Sequence, residues 1–182
     1  MNEYEQLERR IRRLEDTEAI KQLVARYGFA ADDRDMEAIG AMFTKNGCFR
    51  SVNGQMEAHG IDQVIDMYHK RFKGMKHAFH VGHDHIINFE TDSRATGIVA
   101  SHAEVIRNDE PWVVALRYHD IYVREAGNWL FEERALAFYY YLRVADYLSV
   151  MPGLKRMRGM SEPLDADWPE KTDTFRRYQS ES

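Results

Sequence analysis

The chain has 182 residues, of which 44% are hydrophobic, and this length allows one domain with a substantial core. Its formal net charge of −5 and the lack of a basic segment argue against nucleic acid as a partner and favour a small molecule or a protein. The single cysteine excludes an internal disulfide, no apolar run is long enough to span a bilayer, and the charged N-terminus is unlike a secretory signal, so we expect a cytoplasmic protein.

The first half of the chain has the patterns of helices. Apolar residues at helical spacing over 3–27 predict a helical region, and Thr17 could cap a second helix if that region is broken. Shorter helices are predicted at 35–43 and 61–72. Between them, Asn-Gly in the middle of 48–59 is a strong hairpin signal.

The second half has the patterns of strands. Four long runs separated by turn-like residues predict strands at 77–90, 96–107, 112–124 and 129–141. In meander order they imply a strongly curved antiparallel sheet, and helices followed by strands predict an α+β fold in which the helices cover one face of that sheet. Such a fold encloses a pocket. The polar, proline-containing end of the chain predicts one helix near 143–150 and then an extended or mobile tail.

Four histidines lie within nine residues of the first long strand, at His77, His80, His83 and His85. Histidine can act as a base or a metal ligand near neutral pH, so this segment concentrates titratable chemistry. Side chains alternate along a strand, which places His80 on one face and the other three on the opposite face. This separation holds if Gly82 introduces no bulge.

Several motifs point to a known superfamily. Ala-Ile-x-x-Leu at 19–23 lies on a helix that ends in Tyr27 and Asp32, Met-Phe-Thr at 42–44 leads into the first strand, and the long strand carries His80-Val81-Gly82. Gly-Asn-Trp at 127–129 closes the meander. Over residues 14–141 the chain resembles the SnoaL-like branch of the nuclear-transport-factor-2-like superfamily, which includes scytalone dehydratase, bile-acid 7α-dehydratase and hexachlorocyclohexane dehydrochlorinase. The resemblance implies a cone-like curved sheet roofed by the N-terminal helices, in a barrel-like domain of residues 1–145 with a C-terminal extension at 146–182.

By matching positions, the resemblance implies a catalytic dyad of His80 and Asp32. The carboxylate would fix the tautomer of the ring and stabilise the imidazolium that forms when His80 removes a carbon-bound proton. Tyr27 is expected to donate a hydrogen bond to a carbonyl or a departing hydroxyl, and Arg134 to polarise a leaving group or hold an anionic substrate. The expected pocket lining is Phe49, Ser101, Ala103, Trp112, Val114, Leu116, Tyr118, Leu136 and Phe138.

Two departures from these enzymes leave the substrate open. Phe138 stands where the bile-acid dehydratase has a functional arginine, and His102 is out of phase with the second active-site histidine of scytalone dehydratase. The resulting hypothesis is a lyase of the dehydratase type, an isomerase or a cyclase that uses no cofactor or metal. We expect it to act on a hydrophobic cyclic small molecule and to assemble as a homodimer or homotrimer, without nucleic acid or membrane as a partner.

Two alternatives stay open. The same fold also serves as a non-catalytic binding or assembly subunit, such as the small subunit of ring-hydroxylating dioxygenases. A metal-dependent cupin is the other alternative, because His83-Asp84-His85 followed by Glu90 and Gly97 matches part of the first cupin motif. The second cupin motif is missing from the sequence.

The polar tail contains an apolar strip. Its members are Leu148, Met151, Leu154, Met157 and Met160. We expect this strip to cover the mouth of the pocket or a neighbouring subunit.

Overall fold

The computed structural model describes residues 2–159 and 161–181, so Met160 of the apolar strip lies outside the described residues. Its helices and strands are α1 Glu3–Asp33, α2 Met36–Met42, β1 Phe43–Ser51, β2 Glu57–His59, α3 Ile61–Lys73, β3 Met75–Phe89, β4 Arg94–Arg107, β5 Glu110–Glu125, β6 Asn128–Arg143, a 3₁₀ turn Val144–Asp146, α4 Tyr147–Val150 and α5 Asp173–Glu181. None of these helices is both long and apolar enough to cross a membrane.

The strands form one curved, unclosed sheet of six strands in the order β2-β1-β6-β5-β4-β3. The predicted α+β fold with N-terminal helices is confirmed. One detail of the prediction is wrong, because the sheet is mixed: β1 runs parallel to β6, while all other neighbouring strands are antiparallel. Parallel neighbours need a long connection, and the chain passes through β2, α3 and three long strands before β6 returns to the edge of β1.

Helix α1 is unbroken over 31 residues, which corrects the break considered near Thr17. The Thr17 hydroxyl donates to the carbonyl of Arg13 one turn earlier, so it bonds within the helix instead of capping a new one. The helix begins with a capping box between Asn2 and Glu5 and is followed by Arg34, which caps it in a left-handed conformation with φ of 58°. Its buried face packs on the sheet through Ile20, Leu23, Tyr27, Ala30 and Ala31.

The hairpin predicted around residues 53–54 is present, with Cys48 opposite His59. Strand β1 nevertheless begins earlier than predicted, at Phe43, and its register against β6 shifts between Phe43 and Cys48. Gly47 lies in this irregular stretch, where a Cβ atom would be 3.0 Å from the Thr44 carbonyl oxygen. The same Cβ atom would lie 3.2 Å from the Phe131 carbonyl oxygen of β6, so the position is tight for any residue other than glycine.

Strand β3 contains a bulge after Gly82. Gly82 pairs with Ser101 and His85 pairs with Val99, so β3 uses three residues where β4 uses two. The alternation of side chains is reset there, and His85 lies on the same inner face as His80. The prediction that His85 lies on the opposite face from His80 is therefore wrong.

The C-terminal extension packs against the end of β6. Pairing of β1 with β6 stops at Leu136, which leaves the next residues of β6 without a strand on that side. The extension supplies the missing partners: the Tyr141 N–H donates to the Arg156 carbonyl at 3.0 Å, and the Phe138 N–H donates to the Asp167 carboxylate at 2.8 Å. Met157 of the apolar strip is completely buried there. The extension therefore supplies hydrogen-bond partners to the part of β6 that β1 does not reach.

Arg156 organises the extension. Its guanidinium is 3% exposed and forms two hydrogen bonds of 2.8 Å with the Glu170 carboxylate. It also donates to three carbonyl groups, those of Tyr139, Gly153 and Trp168. One buried cation therefore joins two separate parts of the extension, at Gly153 and at 168–170, to Tyr139 of β6.

We predict that Arg156→Ala lowers the free energy of unfolding by about 2–4 kcal/mol, because it leaves several buried acceptors unpaired. Lys155→Ala removes the same charge from the neighbouring exposed position and should change that free energy by less than about 0.5 kcal/mol. Urea unfolding curves of the two variants and the wild type measure the difference. Equal stability of all three proteins would contradict the role of Arg156.

Candidate active site

An apolar cavity lies between the inner face of the sheet and helices α1 and α3. Seven of the nine predicted pocket residues line it, namely Phe49, Ala103, Val114, Leu116, Tyr118, Leu136 and Phe138. Tyr27 and His80 line it as well.

The remaining two predicted pocket residues do not line this cavity. Ser101 is buried on the inner face, but its hydroxyl donates to the Val81 carbonyl at 2.9 Å and so remains within the sheet. Trp112 lies at the beginning of β5, where its ring packs edge-on against Tyr141 with the ring centroids 5.5 Å apart. The cavity wall therefore ends at Tyr141, which was not among the predicted pocket residues.

His80 and Asp32 are in direct contact. His80 Nδ1 lies 2.5 Å from Asp32 Oδ1, and the backbone N–H of His80 donates to Oδ2 at 2.9 Å. The two side chains are 21% and 18% exposed. Because the carboxylate accepts the Nδ1 proton, Nε2 of the neutral ring is the bare nitrogen and can accept a proton.

The end of α1 holds Asp32 in place. Arg34, directly after the helix, donates to the carbonyl oxygens of Met75 and Lys76, both at 2.6 Å. These bonds fasten the last turn of α1 to the start of β3, the strand that carries His80. Asp32 and His80, which are 48 positions apart in the sequence, are thus held in contact.

Tyr27 shares a hydrogen bond with Tyr68 of α3, hydroxyl to hydroxyl. Both residues line the cavity and both are almost fully buried. Burial raises the pKa of each phenol well above its ordinary value, so both remain protonated and able to donate. Tyr68 was not predicted to be a site residue, because a tyrosine on the apolar face of a helix has the pattern of a core residue.

Arg134 is fully buried and does not line the cavity. Its Nε and Nη2 atoms donate to the two oxygens of Asp120 at 3.0 and 2.9 Å. The guanidinium carbon lies 4.1 Å from the ring centroid of Tyr27 and 4.0 Å from that of Tyr118. The positive charge is therefore next to two aromatic rings that do line the cavity, in a cation–π arrangement.

A polar network continues from this ion pair to His85. The Tyr122 hydroxyl donates to Asp120 Oδ2 at 2.8 Å, and His85 Nε2 lies 3.1 Å from the same hydroxyl. Because the hydroxyl proton points to the carboxylate, the oxygen accepts from His85 Nε2–H, which fixes the tautomer of a neutral ring. Burial lowers the pKa of His85 to about 4, against the opposing charge of Asp120.

The other histidines of the sequence cluster are exposed on the outer face. His77 and His83 belong to this group, and His83 Nε2 lies 2.8 Å from Nδ1 of His102. Within residues 2–159 and 161–181, no group of three or more His, Cys, Asp or Glu side chains could hold a metal ion. The mixed sheet with N-terminal helices is also not a jelly roll, so the cupin alternative is wrong at the level of the fold.

The family follows from comparison of the sequence. A family model of the SnoaL-like domain matches residues 12–135, more than half of the chain. The chain belongs to the SnoaL-like family. No curated protein matches this member of the family.

Solved structures share the fold of this SnoaL-like protein. A proposed scytalone dehydratase from Novosphingobium aromaticivorans is 16% identical with a TM-score of 0.69, and the match covers 88% of this chain and 97% of that chain. A hexachlorocyclohexane dehydrochlorinase from Novosphingobium barchaimii is 18% identical with a TM-score of 0.69, covering 74% and 94%. A proposed aromatic ring hydroxylase from Novosphingobium aromaticivorans is 20% identical with a TM-score of 0.67, covering 73% and 96%. At these identities the likeness concerns the fold.

We predict that His85 makes the stability of this protein depend on pH. Between about pH 6.5, the ordinary pKa of histidine, and about pH 4, the unfolded chain binds a proton that folded His85 does not bind. The free energy of unfolding should therefore fall as the pH falls through this window, by at most about 1.4 kcal/mol per pH unit from this group.

The measurement is the free energy of unfolding from urea curves between pH 7 and pH 4. His85→Gln should give a shallower dependence on pH in this window than the wild type. The exposed His69 on α3 provides the control, and His69→Gln should keep the wild-type slope. Identical slopes for His85→Gln and the wild type would show that His85 is not held neutral.

Proposed function

We propose that this SnoaL-like protein is a cofactor-independent lyase or isomerase that removes a carbon-bound proton from a hydrophobic cyclic small molecule. The observation that carries the proposal is the contact of 2.5 Å between His80 Nδ1 and Asp32 Oδ1 at the wall of an apolar cavity. A histidine paired in this way has the tautomer and the electrostatic support of a general base.

In the proposed reaction, His80 Nε2 accepts a proton from a substrate carbon next to an electron-withdrawing group. The C–H electron pair then forms a new double bond, with negative charge developing on an oxygen or passing to a leaving group on the next carbon. Asp32 stabilises the imidazolium that results, since its carboxylate already bonds Nδ1. Return of the proton to another carbon gives isomerisation, and its transfer to the departing group gives elimination.

The phenol pair is the proposed donor to the developing negative charge. Tyr27 and Tyr68 are neutral and buried, and one of the two hydroxyl protons is left over after their mutual hydrogen bond. A donor in an apolar cavity stabilises charge more strongly than the same donor in water. Arg134 is assigned a supporting role, because its charge lies against the Tyr27 ring and assists that phenol as a donor.

We predict that the wild-type protein accelerates the elimination of 5-nitrobenzisoxazole, a neutral apolar probe that opens when a base removes its C–H proton. His80→Ala should lower kcat/KM for this probe by roughly 10²- to 10⁴-fold, the usual contribution of a general base. Asp32→Asn should lower it as well, since the amide cannot stabilise the imidazolium. His83→Ala, which removes an exposed histidine of the same strand, should leave the rate within a factor of two.

The result that decides against a catalytic role is a wild-type rate no higher than that of His80→Ala. A second assay would then follow deuterium uptake from D₂O by cyclic ketones in the same proteins. If both assays show no dependence on His80 while apolar ligands still bind, the non-catalytic binding subunit becomes the preferred function.

A further inference from the structure

The charges of the cavity wall are unbalanced. Apart from His80 and the neutral phenols, Arg71 of α3 is the one ionisable side chain among the described residues that line the cavity. No carboxylate belongs to this described lining, since Asp32 lies behind His80 and Asp120 is buried beside Arg134. A cavity with apolar walls therefore carries one permanent positive charge.

The Arg71 side chain is directed toward the cavity. Its guanidinium carbon lies 5.9 Å from the ring centroid of Phe49, which is 1% exposed and lines the same cavity. Other cations of α3 are placed differently, since Lys70 pairs with Asp66 and Lys73 is exposed. Arg71 thus projects from the helix on its inner side.

Arg71 has no partner of opposite charge. In the described part of the chain, the side chain of Arg71 takes part in no hydrogen bond or salt bridge, although it is partly buried. A partly buried guanidinium loses water and usually regains hydrogen bonds from a carboxylate or phosphate. An anionic ligand would provide them here.

The charge of Arg71 also reaches the phenols of the site. Burial raises the pKa of Tyr27, Tyr68 and Tyr118, and the positive charge of Arg71 opposes that rise in all three. Arg71 is therefore close enough to act on the same volume that holds the phenol pair. This agrees with the place of Arg71 in the cavity lining beside Phe49.

We propose that Arg71 binds a carboxylate of the substrate, so that the substrate class is a hydrophobic cyclic acid. The carboxylate accepts hydrogen bonds from the guanidinium on the α3 side, and the ring system fills the apolar space toward β3, where His80 lies. The reaction at His80 rests on the function proposed above, whereas the preference for an acid rests on Arg71 alone. A planar guanidinium is suited to a carboxylate because it donates two parallel hydrogen bonds.

The test compares 2-naphthoate with 2-naphthamide, which have the same shape and differ in charge, by isothermal titration calorimetry. The wild type should bind the acid at least tenfold more tightly than the amide. Arg71→Met should weaken binding of the acid at least tenfold and change binding of the amide by less than twofold, while Arg71→Lys should recover part of the affinity for the acid. Lys73→Met removes the same charge from an exposed position of the same helix and should bind both probes as the wild type does.

Three results would overturn the proposal. These are a wild type that binds the acid no better than the amide or binds neither, an Arg71→Met variant that loses both probes equally, and a Lys73→Met variant that loses the acid as strongly as Arg71→Met. Thermal unfolding of each variant verifies that the fold is intact.

The same titrations in His80→Ala separate this proposal from the catalytic one. Retention of the preference for the acid in that variant, together with loss of the elimination activity, supports both proposals. An unchanged elimination rate in His80→Ala would overturn the catalytic proposal and leave the anion site in place.

Discussion

The buried ion pair between Arg134 and Asp120 is the constraint on which the interior of this protein depends. The two residues lie directly opposite each other on β6 and β5, and neither side chain has any exposed surface. Breaking such a pair by removing one partner costs about 3–5 kcal/mol, because the other charge stays buried. The neighbours are therefore fixed in turn: Tyr122 must donate to Asp120, His85 must face Tyr122 as a neutral ring, and the rings of Tyr27 and Tyr118 must cover the guanidinium. The cavity ends at these rings.

The position of His80 and the roof of the cavity depend on one carboxylate. Asp32 accepts both the ring N–H and the backbone N–H of His80, so the same side chain docks the end of α1 on β3 and orients the imidazole. Arg34 strengthens this junction from the next turn of the chain. A displacement of α1 would therefore both open the roof of the cavity and move the proposed base, His80. The packing of α1 on the sheet is therefore enough to orient the His80 imidazole against the Asp32 carboxylate, as the proposed chemistry requires.

Three features could be predicted from the sequence: the order of helices and strands, the inward direction of Arg134, and the pairing of Asp32 with His80. Periodicity predicts which face of an element a side chain occupies. The pairing of Asp32 with His80, which are distant in the sequence, was predicted from the family motifs. Two kinds of feature could not be predicted: a local irregularity of the backbone, and contacts between residues that are remote in the sequence. The bulge after Gly82 moves His85 to the inner face, although a glycine in a strand only permits a bulge. Tyr68 and Arg71 have the pattern of an ordinary amphipathic helix, so their place at the cavity becomes visible only once α3 is docked.

The C-terminal extension belongs to the support of the cavity, although it follows the last strand. Phe138 and Tyr141 of β6 line the cavity, and both lie beyond the part of β6 that β1 pairs with. Their backbone groups bond to Asp167 and Arg156 of the extension instead. Gly159 lies so close to the Tyr141 ring that a Cβ atom would be 2.6 Å from it, and its carbonyl accepts from Arg107 of β4. The extension thus fixes the wall formed by Phe138 and Tyr141, so the shape of the cavity depends on described residues that do not line it.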